Sequence, residues 1–304
     1  MSKPPVSAPG TRWAYSNSGY ALLGAVIEKI SGKPYGQFIE ERIFAPLGMQ
    51  HSYYDGASSR VIPKLVSGYS AQGPDYSHAE YLSYTQVYAA GGLIATVDDL
   101  ADWYIALCNS QMIRKTSLQR AWNPYILADG RSCLYGYGWM LSTYQGHRLV
   151  EHYGLIPGFA NYLIGLPDDD IFVAVLSNYD GKIGQPERLS FELAALTLEL
   201  PYRPPTPIEL SPEKLQAYTG QYQAKDGTVL TVQYEASGLV LQTADGQSRA
   251  IQPISPTKFF FPQFPVSEVH FVLDINQQVR ELNWIPRQKI PIQALKSAPN
   301  PGIP

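Results

Sequence analysis

The sequence predicts an α+β protein in two parts, and three observations carry that prediction. Apolar residues recur at helical spacing up to Cys108. The period then changes to the alternation of strands between Tyr135 and Ser177. After a proline-rich stretch, a second series of short alternating runs reads as a small all-β barrel. With 304 residues, 45% hydrophobic and 16% charged, the chain is long enough for two domains that each bury a core. The divisions expected are a first domain over 1–200, a stiff linker over 201–207, an antiparallel barrel over 208–290 and a tail over 291–304, of which Ser297 to Pro304 is expected to be disordered.

Taken in order, Asn17 precedes a segment from Ser18 to Ile30 whose Leu22, Leu23, Val26, Ile27 and Ile30 share one helical face, with Ser31-Gly32 as a stop. A second helix is predicted from Tyr35 to Phe44, ended by Pro46. From Ser52 to Ala89 the sequence is rich in Tyr, Ser and Gly and longer than a plain connector, which suits a lid or groove wall. Thr96-Val97-Asp98-Asp99 fits a capping box opening a helix that carries Leu100, Trp103, Tyr104 and Leu107. Strands follow at Tyr135–Ser142, His147–His152, Ala160–Leu166 and Ile171–Ser177, and a helix at about Glu187–Leu198. Beyond the prolines, six runs are strand-like: Thr228–Gln233, Leu239–Thr243, Ala250–Ile254, Lys258–Pro262, Val269–Leu273 and Val279–Trp284.

Composition excludes several functions. Lys plus Arg number 23 against 26 acidic residues and form no run or stripe, so nucleic acid is not an expected partner. Cys108 and Cys133 have neither zinc-knuckle spacing nor partners for a disulfide framework. No metal or cofactor is implied. No stretch approaches the roughly 18 apolar residues of a membrane span, and Met-Ser-Lys-Pro-Pro opens without an apolar leader. As it stands the sequence reads as cytoplasmic or as a processed fragment, and a small-molecule or peptide substrate is the expected partner.

The chemistry-bearing residues begin with Tyr15-Ser16-Asn17, a phenol, a hydroxyl and a carboxamide in succession at a helix entrance. Such a tripeptide is also a common N-cap. Its context is more specific. Pro9-Gly10, Tyr15-Ser16-Asn17, Gly19-Tyr20, Leu22-Leu23-Gly24 and Pro46-Leu47-Gly48-Met49 together resemble the second motif of class C β-lactamases, penicillin-binding proteins, D-alanyl-D-alanine carboxypeptidases and related esterases. Ala89 to Leu100 resembles that family's glycine turn into a helix, and Tyr135-Gly136-Tyr137-Gly138-Trp139 its following strand. His152-Tyr153-Gly154 falls where the family carries Lys-Thr-Gly or His-x-Gly. The resemblance implies a β-lactamase/transpeptidase-like fold, an antiparallel sheet with a helical subdomain. It also implies a lipocalin-like C-terminal barrel and acyl transfer on an ester, a D-amino-acid peptide or a β-lactam. Family members are often periplasmic or secreted.

The resemblance further implies roles. Tyr15 would be the general base, its phenol lowered from about 10 by neighbouring cations. Asn17 would orient the substrate amide, and Ser16 would relay protons or cap the helix. His152 would supply donors and a partial positive charge, which favours esters and amides over penicillins because a histidine is charged only part of the time at neutral pH. Gly154 would admit close approach of the backbone, the Leu155 amide would donate to an oxyanion, and Tyr153 would border the substrate or pack outward.

One element of the family pattern does not precede Tyr15: residues 1–14 hold no Ser-x-x-Lys. The pattern occurs at Ser211–Lys214 and Ser255–Lys258, where it is expected to be local capping. Three readings follow. The chain is the bulk of a serine hydrolase, inactive alone, whose nucleophile lies upstream or on another chain. Alternatively it is a non-catalytic module binding peptidoglycan or a small ligand. In the third reading Ser16 substitutes as nucleophile. An unpaired sheet edge is then expected, to be covered by the missing segment or a second copy.

Overall fold

A computed structural model describes residues 7–54, 61–72, 75–181, 184–200, 205–225, 227–235, 238–243, 246–262, 264–285 and 292–297. It divides into two compact units, 1–201 and 202–304.

Helix α1 spans Asn17–Ser31. Its N-cap is Ser16 rather than Asn17: Ser16 is extended, and its Oγ accepts the Gly19 amide at 3.0 Å, which satisfies a donor the helix cannot. Gly32, at φ 68°, turns the chain out. The apolar face is as spaced, yet Leu22 (68% exposed) and Ile30 (82%) face solvent, and only Ile27 joins the helical core of Tyr35, Ile39, Phe44 and Met49. Periodicity selects which side chains share a face, and not whether anything packs on it.

The second helix does not stop before Pro46. Helix α2 (Tyr35–Ile39) passes through a π-helical turn at Glu40–Phe44 into α3 (Ala45–Leu47). The widened turn places Pro46 at the start of the next segment, where its missing N–H costs nothing, and Gly48 at φ 70° ends the run.

Strand β1 (Tyr53–Tyr54) comes next, followed by a hairpin of β2 (Tyr69–Gln72) and β3 (Asp75–His78), the short α4 (Tyr84–Val87), and β4 (Leu93–Ile94), which pairs with β1. Helix α5 (Val97–Cys108) is capped by Thr96. Asp99 does not complete a simple box, since its carboxylate accepts the His51 amide at 2.9 Å and the Ser52 hydroxyl at 2.7 Å, tying α5 to the end of α3. Helix α6 (Lys115–Ala121) was not foreseen, being too short to show a period.

The sheet has four antiparallel strands in the order β5 (Met140–Tyr144), β6 (His147–Ile156), β7 (Phe159–Leu166), β8 (Ile171–Ser177). Residues 135–139 are not in β5. Gly138 has φ 80° and Gly136 donates to the Trp139 carbonyl at 2.8 Å, so the segment curls before the strand begins. Gly136 is required there, because a Cβ would lie 1.9 Å from the Ala121 carbonyl oxygen. Helix α5 covers one face, with Tyr104 stacked on Phe172 at 4.6 Å. Helix α7 (Gly184–Thr197) covers the other, with Phe191 against Tyr144 and Tyr162.

Of the stretch expected to be a lid or groove wall, 55–60 and 73–74 lie outside the described residues. The hairpin within it is sewn to one end of the sheet. Tyr69 donates to the Asn178 carbonyl at 2.9 Å and Asp180 to that of Tyr69 at 3.1 Å. The Asp180 carboxylate accepts both the Ser70 hydroxyl and the Gly158 amide at 2.7 Å.

The second unit opens with α8 (Pro212–Gln216), and its eight strands close into an antiparallel barrel. They are β9 (Gly220–Ala224), β10 (Val229–Glu235), β11 (Gly238–Gln242), β12 (Ser248–Pro253), β13 (Lys258–Phe261), β14 (Phe264–Leu273), β15 (Val279–Ile285) and β16 (Ile292–Lys296). Two strands were not foreseen, and β16 lies within the stretch expected to be a tail; they are the pair that closes the barrel, β16 on β9. Closure consumes both edges, which a run-by-run reading of single strands does not demand. Residues 201–204 of the expected linker, 286–291 and 298–304 lie outside the described residues. The interior is filled by Tyr218, Tyr222, Phe259, Phe271, Leu282 and Trp284 among others. Both Ser-x-x-Lys occurrences are local: Ser211 caps α8, and the Ser255 hydroxyl accepts the Lys258 amide at 3.0 Å. Among the described residues no helix is long and apolar enough to cross a membrane.

Candidate active site

Strand β6 outruns its neighbour. Its pairing with β5 ends at Glu151–Met140, whereas its pairing with β7 continues to Ile156–Phe159. Residues 152–156 therefore have a backbone edge on the β5 side that β5 does not reach. The entrance of α1 arrives there: the Tyr15 ring lies 6.1 Å from His152, 6.4 Å from Tyr153 and 6.5 Å from Tyr135, centroid to centroid, and Trp13 packs on Tyr135 at 5.3 Å. Tyr15 is 45% exposed. Residues far apart in sequence, Tyr15 on one side and His152 with Tyr153 on the other, thus share one cleft.

The electrostatics differ from what the resemblance implied. Burial pushes the Tyr15 phenol above its ordinary range, and no cation offsets it. Among the described residues no lysine or arginine acts on Tyr15, Tyr20, Tyr135, His152 or Tyr153, so the lowering by neighbouring cations that the resemblance implied is not seen within them. Burial likewise holds His152 below the usual imidazole value, so at neutral pH the ring carries one proton. Nδ1 faces the Tyr153 carbonyl at 2.7 Å. A carbonyl only accepts, so that proton is on Nδ1, and Nε2, 2.9 Å from the Tyr135 hydroxyl, accepts from it. His152 therefore offers neither charge nor a spare N–H to Tyr15, in contrast to the donor role expected of it.

The Tyr153 carbonyl is taken by a side chain at the free edge. In an antiparallel ladder the amide and carbonyl of alternate residues point the same way, so the Leu155 N–H is aimed at that edge too. Gly154 is exposed and lacks left-handed geometry; a Cβ there would meet Asn161 only at an ordinary 3.7 Å. Among the described residues nothing demands glycine at 154. Ser16 has its oxygen committed to the Gly19 amide, which fits a cap better than a relay or a nucleophile. Asn17 is exposed on the first turn of α1. Sequence reasoning missed Tyr135, whose hydroxyl meets His152, and Tyr20, which acts on Tyr135. The signal available was the pair of glycines that bracket Tyr137, marking a backbone curled tightly enough to deliver Tyr135 inward. Among the described residues no group of His, Cys, Asp and Glu is arranged to hold a metal.

The chain belongs to the β-lactamase family, whose model matches residues 1–197. It is 30% identical over 286 residues to penicillin-binding protein 4* of Bacillus subtilis, an alignment covering 87% of this chain and 62% of that protein. Among solved structures it resembles the D-stereospecific amidohydrolase from Streptomyces sp., with TM-score 0.54 and 27% identity over 62% of this chain and 56% of that one. It also shares the fold of the octameric penicillin-binding protein homologue from Pyrococcus abyssi, with TM-score 0.59 and 23% identity, covering 96% of this chain and 66% of that one. The chain thus spans about three-fifths of the curated relative's length.

Proposed function

We propose that residues 1–201 form the base and oxyanion side of a serine acyl-transfer site for esters and amides, including D-amino-acid amides and peptides, with the Ser-x-x-Lys pair supplied by polypeptide outside this sequence. The observation that carries the reading is the convergence of Tyr15 on His152 and Tyr153 at the free edge of β6. There Tyr15 would pass protons between nucleophile and leaving group, Asn17 would orient the substrate amide, and the Leu155 N–H would donate to the oxyanion across Gly154. Similarity to a D-stereospecific amidohydrolase supports the D-amino-acid part. Tyr153 would line the substrate beside Tyr15. The chain by itself is expected to be inactive.

The test is covalent labelling. Joined to the polypeptide that carries Ser-x-x-Lys, the chain should be acylated by a fluorophosphonate or a penicillin, and Tyr15→Phe should slow acylation by roughly 10²–10⁴-fold, the usual worth of a positioned proton-transfer group. If the joined protein remains unlabelled, or Tyr15→Phe labels as fast as the parent, the reading is wrong.

A second reading, a binding module for peptidoglycan fragments or small ligands, is favoured by one observation: the Tyr15 phenol is raised and not lowered, which suits a hydrogen-bond donor better than a base. Calorimetry with peptidoglycan fragments should then give a saturable heat that Tyr15→Phe weakens even without the Ser-x-x-Lys segment.

A further inference from the structure

The hydrogen bonds beneath the cleft run in one direction. The Tyr153 carbonyl requires the His152 proton on Nδ1; Nε2 is then an acceptor and takes the Tyr135 hydroxyl proton at 2.9 Å. Tyr20 also acts on Tyr135. Tyr135 is buried, and Trp13 and the Tyr15 ring pack around it. Both ring nitrogens of His152 are therefore occupied by the protein itself. What the imidazole presents to the cleft is ring surface, in a site where no lysine or arginine of the described residues acts on the neighbouring tyrosines.

We infer that Tyr135 is a positioning and specificity residue: by donating to Nε2 of His152 it holds the ring as the Nδ1–H form and leaves the β6 side of the cleft without a cation, so that this side of the site accepts uncharged esters and amides and discriminates against the corresponding free carboxylates. This rests on the acyl-transfer reading for its substrate half, while the hydrogen-bond relay stands independently of it. The groups that face His152 are Tyr135, Tyr15 and Tyr153, with Glu151 adjacent on its own strand and Tyr20 acting through Tyr135.

The test is nitrogen NMR on histidine-labelled protein over residues 1–304, with a titration. The parent should show His152 protonated at Nδ1 and bare at Nε2. Tyr135→Phe keeps the ring but removes a bond that only the neutral imidazole accepts, so the His152 midpoint should rise by roughly half to one pH unit, the equivalent of one hydrogen bond. Tyr20→Phe, which leaves the Tyr135 donor in place, should move it less and serves if the first variant fails to fold. A parent ring protonated on Nε2, or a midpoint that neither variant shifts, overturns the relay. For the substrate half, N-acetyl-D-alanine amide should perturb the Tyr15 and His152 resonances at concentrations at least tenfold below N-acetyl-D-alanine, and Tyr135→Phe should narrow that gap at mildly acidic pH. Equal binding of the two by the parent overturns the specificity claim. If neither binds, the acyl-transfer reading falls with it, whatever the histidine titration shows.

Discussion

At the scale of single residues, capping and burial decide what each polar group can do. Ser16 looked eligible for chemistry because it stands between Tyr15 and Asn17, but its oxygen completes the first turn of α1. Ser16→Ala should therefore lower stability by about 1 kcal/mol, and Ser16→Gly by only a few tenths, as for N-caps generally. Denaturant melts of the two variants check this, and an effect on ligand binding with unchanged stability would point back to a chemical role. His152 makes a prediction about pH. Its folded-state value lies below that of the unfolded chain because burial penalises the charged ring. Between the two values the unfolded state holds more protons, so stability falls as pH drops below about 6.5 and levels off once the folded ring also protonates. His152→Gln should flatten that part of the stability curve between neutrality and mild acid, measured as the difference in urea midpoints.

At the scale of elements, the position of the hairpin β2–β3 depends on one carboxylate. Asp180 joins the Ser70 hydroxyl and the Gly158 amide, and hydrogen bonds to a charged acceptor are worth about 1.5–3 kcal/mol each. Asp180→Ala should release the hairpin from the sheet end. Amide hydrogen exchange at Gly158 and at Ala79, which donates to the Gly68 carbonyl, should accelerate at least tenfold, while exchange in the middle of β6 and β7 stays slow. Uniform acceleration across the sheet would show that Asp180 acts globally. The helices were legible from spacing alone where an apolar stripe ran for several turns, as in α1 and α5. They were not legible where continuity depended on a π-helical turn, as at Pro46, or where the segment was as short as α6. The edge of β6 was hidden for a different reason. Which residues of a strand remain unpaired is set by the length of its neighbour, and the start of β5 was itself displaced by the curl at Gly136–Gly138.

At the scale of the whole molecule, two compact units with separate cores imply two unfolding events. Phe271 sits in the barrel interior against Tyr218 at 4.6 Å and Phe259 at 5.2 Å. Phe271→Ala should cost about 3–5 kcal/mol by leaving a cavity. In calorimetry the loss should appear in one transition only, the other keeping its midpoint; a single transition shifted as a whole would show the units to be thermodynamically coupled. The barrel also shows how topology exceeds pattern. Six of its strands carry visible alternation, but β9 and β16 are recognisable only once each is paired with the other.

The residue inventory and the periods are written along the chain: an α+β first part, an all-β second part, the order of the family motifs, and the candidates Tyr15, Asn17, His152 and Gly154. Those properties are local, and local spacing is sufficient to express them. It took the fold to bring Tyr15 and His152 together, to consume Ser16 as a cap and to set Tyr135 against the histidine. Among the described residues burial, with no lysine or arginine acting beside it, sets the direction in which Tyr15 and His152 are shifted. Burial and hydrogen-bond direction depend on what the rest of the chain brings alongside, and spacing along the chain does not contain that information.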